Sequence, residues 1–194
     1  MDTDATLMAR AIEVAGAARY RSSPNPWVGA VVVADGRVVG TGATSPPGGA
    51  HAEVVALVEA GEQARGATLY TTLEPCCHDG RTGPCTSAVV DAGIRRVVVG
   101  IADPDPDVAG RGLAVLAEDG VDVEVGVGAA EVEEQLQPYL HHRRTGRPYV
   151  VLKLAATLDG RIAATDGSST WITGAEARQD VHRLRAQSDA ICVG

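Results

Sequence analysis

ATLYTTLEPCCHDGRTGPC, residues 67–85, decides how this chain is read. Its first part, rich in Thr, Leu and Tyr, favours a short strand over 67–73. Glu74-Pro75 ends that strand, because proline cannot donate to a sheet ladder. The loop 75–85 then carries Cys76, Cys77, His78, Arg81 and Cys85, and a helix is expected over about 86–92. On the N-terminal side, apolar residues at helical spacing predict a helix over 5–19, followed by the turn-rich Ser22-Ser23-Pro24-Asn25-Pro26. Apolar runs Val28–Val33 and Val38–Gly42 flank Asp35-Gly36 and predict a β-hairpin. A Pro/Gly-rich loop over 43–50 leads to a helix over 51–64. On the C-terminal side the pattern predicts a strand at 96–101, a loop at Asp103-Pro104-Asp105-Pro106 and a helix over 110–118. A strand at 121–127 and a helix over 130–143 follow. Strands alternating with helices imply an α/β fold with helices on both faces of the sheet, and the hairpin makes that sheet mixed.

A change of composition at Thr145-Gly146-Arg147-Pro148 marks a junction, dividing the chain into 1–145 and 146–194. Beyond it the expected elements are a strand at 149–156, a loop at Leu158-Asp159-Gly160-Arg161, a helix over 174–187 and a strand at Ala190–Val193. So short a segment cannot bury a core alone. It is therefore an incomplete domain, or it packs on the first domain or on another copy.

The 194 residues are 45% hydrophobic and contain no Phe, so the core must come from Val, Leu, Ile and Ala. A net charge of −8 argues against a nucleic-acid partner, which needs a basic footprint, but leaves room for a small phosphorylated substrate. No apolar run reaches the length of a membrane span, and the acidic start Met1-Asp2-Thr3-Asp4 has no signal-peptide pattern. The expected location is cytoplasmic. In that reducing setting, the clustering of Cys76, Cys77 and Cys85 reads as metal-binding or catalytic rather than as a disulfide framework. Cys192, on an apolar run, is expected in a core.

His51-Ala52-Glu53 opens one predicted helix, Pro75-Cys76 follows a strand, and Cys85 opens the next helix. One imidazole and two thiolates make a three-ligand zinc site, and three protein ligands leave the fourth tetrahedral position to water, as in catalytic zinc sites. Glu53, two residues from a ligand, is placed to move protons without binding the metal. The order resembles H-x-E…P-C-x-x-C of zinc nucleobase deaminases, with a much longer stretch between the cysteines. The competing reading is a closed, non-catalytic zinc site that recruits Cys77 or His78 as a fourth ligand.

The chain resembles the bifunctional riboflavin-biosynthesis deaminase–reductase family from end to end. The resemblance rests on NPWVGAVVV (25–33), HAEVVAL (51–57), LEPCCHDGRTGPC (73–85), DPDP (103–106), VAGRG (108–112), RTGRPYVVLKLAATLDGRIA (144–163) and STWITGAEARQD (169–180). It implies a cytidine-deaminase-like three-layer sandwich over 1–145 and the start of a dihydrofolate-reductase-like domain over 146–194. The implied reaction is hydrolytic deamination of 2,5-diamino-6-(5-phosphoribosylamino)pyrimidin-4-one at the C2 amino group, with zinc on His51, Cys76 and Cys85. By the same resemblance, Asn25 and the backbone at Ala52 contact the pyrimidine, and His78, Arg81, Asp103 and Asp105 line the ribose-phosphate side. Lys153, Ser169 and Arg185 correspond to reductase substrate contacts, and Ala155 and Trp171 to NADPH contacts. The 194-residue chain is expected not to carry out the reduction. The resemblance also implies a homo-oligomer acting on a small molecule. Thr44 stands where the family often has His, and Asp105 where Asn is more usual, adding a negative charge near an anionic substrate. Another zinc deaminase of bases or nucleotides is the alternative within the same chemistry.

Overall fold

The computed structural model describes residues 3–193, so the acidic start at Met1-Asp2 lies outside the described residues. The chain divides into two compact units, with the division between Tyr149 and Val150.

In the first unit, β1 (Gly29–Ala34), β2 (Arg37–Ala43), β3 (Thr68–Leu73), β4 (Arg96–Ile101) and β5 (Asp122–Val125) form a five-stranded sheet among the described residues, in the order β2-β1-β3-β4-β5. β1 runs antiparallel to β2 and β3, whereas β3, β4 and β5 are parallel. The sheet is thus mixed, as the hairpin requires. Its turn is Asp35-Gly36, with φ of 49° and 74°. Both residues take the positive φ of a type I′ turn, which matches the twist of the flanking strands.

Alternation along the strands sends side chains to two cores. Val31, Tyr70 and Val98 pack with Leu7, Met8 and Ala11 of α1 (Asp4–Ala15). Ala30, Val32, Leu69, Val97 and Val99 pack with Ala52 and Ala56 of α2 (Ala52–Ala60), Val89 of α3 (Cys85–Asp91) and Leu116 of α4 (Arg111–Glu118). α5 (Ala129–Gln135) lies against β4 and α1. Without Phe, fully buried valines such as Val31, Val32, Val97, Val98 and Val99 supply the centre, each worth about 1.5–3 kcal/mol of transfer free energy.

The structure departs from expectation at three places. The single helix expected over 130–143 is two, α5 and α6 (Gln137–Thr145), broken at Leu136. Pro138 supplies the reason, since its ring excludes the carbonyl of Glu134 and it has no N–H to continue the ladder. In the second unit, α7 (Ala175–Ala186) forms as expected, but the strands expected at 149–156 and 190–193 do not. An apolar run becomes a strand only beside a hydrogen-bonding neighbour, and no such pairing forms among the described residues of this unit. Val150, Leu152 and Leu154 are exposed, and so is Cys192, which corrects its expected place in a core.

Candidate active site

The parallel strands β3 and β4 end on the same side of the sheet, where α/β folds hold their ligands. Glu74, Pro75 and Cys76 follow β3; Asp103 and Asp105 follow β4. α2 and α3 begin at the same place, with His51 as the residue capping α2 and Cys85 as the first residue of α3. α2 can lie this close because β2 presents glycine to it: a Cβ on Gly42 would stand 2.1 Å from the Ala52 carbonyl oxygen, and one on Gly40 2.2 Å from that of Ala56.

His51, Cys76 and Cys85 bring one nitrogen and two sulfurs within 4.8 Å of one another. His51 Nδ1 lies 3.2 Å from Cys85 Sγ and 3.5 Å from Cys76 Sγ. The Cys85 backbone N–H donates to Cys76 Sγ at 3.4 Å, tying the two ends of the long loop together. A hydrogen bond from the Cys85 thiol draws Cys76 down to about 4, despite burial, while that bond and burial push Cys85 up. His51 is raised, chiefly by its hydrogen bond to Cys76. An imidazole and two cysteine sulfurs at this spacing fit a tetrahedral zinc ion, whose binding would require both cysteines as thiolates. Cys77 stands outside this trio, half-buried.

Glu53 is 4% exposed, and burial pushes its carboxyl up to about 7. It lines a cleft of about 290 Å³ together with His51, Cys76 and Asn25. His78, Arg81, Asp103 and Asp105 line the same cleft. Ala52, the first residue of α2, is buried against Gly42 of β2. Apart from Ala52 and Cys85, the sequence-predicted deaminase residues line one cleft, and Cys85 joins His51 and Cys76 in the donor trio. Lys153, Ser169, Trp171 and Arg185 are exposed in the second unit, and Ala155 is only partly covered. The Arg178 guanidinium lies 4.5 Å from the centre of the Trp171 ring.

Four contributors have contacts that the sequence does not announce, although Glu74 lies within the 73–85 motif and Thr44 stands where the family often has His. Thr44 is buried, and its Oγ1 accepts from the Val28 backbone N–H at 2.9 Å, holding the segment that carries Asn25 against the end of β2. Glu74 is buried, and its two oxygens accept from the backbone N–H groups of Asp103 and Gly110, and of Gly112 and Leu113. It thus fixes the loop that presents Asp103 and Asp105. Tyr139 and Arg143 reach the cleft from α6. The Tyr139 hydroxyl bonds the Asp103 carboxylate at 2.9 Å, and Arg143 Nε pairs with Asp105 at 3.1 Å. Buried or coordinating polar groups signalled by single residues far apart in the chain leave no short pattern to find.

Residues 1–101 match the family described as the cytidine and deoxycytidylate deaminase zinc-binding region. The chain belongs to that family. Residues 148–194 match the RibD C-terminal domain. The riboflavin biosynthesis protein RibD of Escherichia coli (strain K12) is 52% identical over 188 residues, which cover 97% of this chain and 51% of that protein. Among solved structures, Acinetobacter baumannii RibD (form 1) matches with a TM-score of 0.89 and 49% identity, over 95% of this chain and 52% of that one. The diaminohydroxyphosphoribosylaminopyrimidine deaminase/5-amino-6-(5-phosphoribosylamino)uracil reductase of Thermotoga maritima matches with a TM-score of 0.88 and 44% identity, over 94% and 52%. The resemblance to the riboflavin deaminase–reductase family is borne out, as is the cytidine-deaminase-like fold. The chain spans about half the length of these relatives.

Proposed function

We propose that the first unit is a zinc-dependent hydrolase that deaminates 2,5-diamino-6-(5-phosphoribosylamino)pyrimidin-4-one to 5-amino-6-(5-phosphoribosylamino)uracil and ammonia. The observation that carries this reading is a buried carboxylate, Glu53, beside a His–Cys–Cys trio in a cleft that also holds His78 and Arg81. His51, Cys76 and Cys85 hold the zinc, which when bound supplies Lewis-acid activation of water. Glu53 takes the proton of the attacking water and returns protons to the ring nitrogen and the departing amine. One water is consumed, the C2–N bond breaks, and a carbonyl oxygen replaces the amino group. Asn25 and the backbone at Ala52 orient the pyrimidine. His78 and Arg81 receive the phosphate, for which a guanidinium is well shaped, and Asp103 and Asp105 accept from the ribose hydroxyls.

The same reading takes 1–145 as the deaminase domain and 146–194 as the beginning of a reductase-type domain, with Lys153, Ser169 and Arg185 toward its substrate and Ala155 and Trp171 toward NADPH. It includes a cytoplasmic homo-oligomer. The net charge of −8 supports a small-molecule rather than a nucleic-acid substrate, and no helix among the described residues is long and apolar enough to cross a membrane.

Ammonia release by the zinc-loaded chain, compared across the diaminopyrimidine ribose phosphate, cytidine, dCMP and guanine, tests the proposal. Turnover of the first alone is the expected result; turnover of another compound with the first inert would refute it.

A further inference from the structure

The cleft is lined by four carboxylates, Glu53, Glu74, Asp103 and Asp105, although the reading above places an anionic sugar phosphate in it. Two of them are already engaged by the protein. Glu74 is held by four backbone N–H groups, and Asp103 accepts from the Tyr139 hydroxyl with both oxygens and from the Asp105 N–H at 2.9 Å. Asp105 differs. One oxygen accepts from the Asp107 N–H at 2.9 Å, and the other faces Arg143 Nε at 3.1 Å. Its side chain is 16% exposed, so its charge is only partly screened by water. The Arg143 guanidinium lies 5.4 Å from the centre of the Tyr139 ring. Tyr139 and Arg143, four residues apart on α6, thus stand on one helix face and meet Asp103 and Asp105 in turn.

We propose that Arg143 is a positioning residue that neutralises Asp105, so that this acidic wall can face the ribose without repelling the phosphate. The proposal rests on the ribose-phosphate reading of the cleft. Asp105 and Arg143 form one unit: removing the cation leaves a partly buried anion facing another anion, whereas removing both leaves a neutral wall. An unpaired like charge within several ångströms of an anion in a partly screened site corresponds to about tenfold in binding.

The test is a double-mutant cycle on the zinc-loaded chain, reading KM and kcat for the diaminopyrimidine ribose phosphate and for its dephosphorylated riboside. Arg143→Met should raise KM for the phosphorylated compound about tenfold, with a smaller change in kcat and little change in KM for the riboside. Adding Asp105→Asn to Arg143→Met should bring KM back toward the wild-type value, a recovery that a purely structural role for Arg143 would not give. The proposal is overturned if Arg143→Met leaves KM unmoved, if both compounds suffer equally, or if the double variant is no better than Arg143→Met. A wild-type chain inert toward the phosphorylated compound would overturn the substrate reading itself, and this proposal with it.

Discussion

Glu53 illustrates how one side chain acquires a role from its surroundings. A carboxylate at the first turn of a helix is ordinary; one that is 4% exposed and beside a His–Cys–Cys trio is not. Because it is not one of the three clustered donors, Glu53→Gln should retain zinc and lower ammonia release by about 10²–10⁴-fold. Cys77→Ser should also retain zinc, while Cys76→Ser should lose it. Metal content by elemental analysis, paired with an ammonia assay, checks all three; zinc loss in Glu53→Gln, or a loss in Cys77→Ser equal to that in Cys76→Ser, would contradict the donor assignment. The ligands were legible in the sequence because each sits in a short motif beside a strand end or helix start. Thr44, Glu74, Tyr139 and Arg143 were not, because each acts through a partner well removed along the chain: Val28, Asp103 to Leu113, Asp103, and Asp105 respectively.

The placement of α2 depends on what β2 lacks. Gly42→Val would drive a side chain into the Ala52 carbonyl, 2.1 Å from its Cβ, directly beneath the helix turn that carries His51 and Glu53. Overpacking of this kind costs about 3 kcal/mol or more, and the urea midpoint and zinc content should fall together. Gly16→Ala, with nothing within 4 Å of the added Cβ and a φ of −54° at that residue, should leave both within about 0.5 kcal/mol of wild type. Hairpin, strand and most helix positions followed from periodicity and turn residues, since those preferences are local. The break at Leu136 was also written locally, in Pro138, though the apolar periodicity ran through it. The strands expected in the second unit failed for the opposite reason: Val150 to Leu154 has strand composition, but composition does not supply a neighbouring edge.

The first helix is tied to strands β4 and β5 through Arg96. Its guanidinium bonds Asp4 at 2.9 and 3.2 Å and also pairs with Glu124, while the Tyr70 hydroxyl donates to Asp4 at 2.6 Å. The Arg96 and Tyr70 hydrogen bonds hold the Asp4 carboxyl below its usual value of 3.8. A carboxylate with a depressed folded-state pKa stabilises the fold above the unfolded-state value and loses that contribution as pH falls through the folded-state one. Asp4 is 37% exposed at its side chain, so the effect is modest: Asp4→Asn should cost about 1 kcal/mol at pH 7. The gap between variant and wild type in urea unfolding should narrow below about pH 4; a gap constant from pH 7 to pH 3 would show that Asp4 acts without its charge. From sequence alone, the His–x–Glu and cysteine motifs, the hairpin turn and the alternation of strands and helices determined the class of fold and picked out the three donors that the structure clusters, because each is encoded in neighbouring residues. Tertiary structure decided which backbone groups hold Glu74, that Thr44 clamps Val28, that Tyr139 meets Asp103 and that Arg143 pairs with Asp105. Those outcomes depend on groups brought together across the sheet, and charge and hydrogen-bond complementarity at such distances leaves no period in the chain.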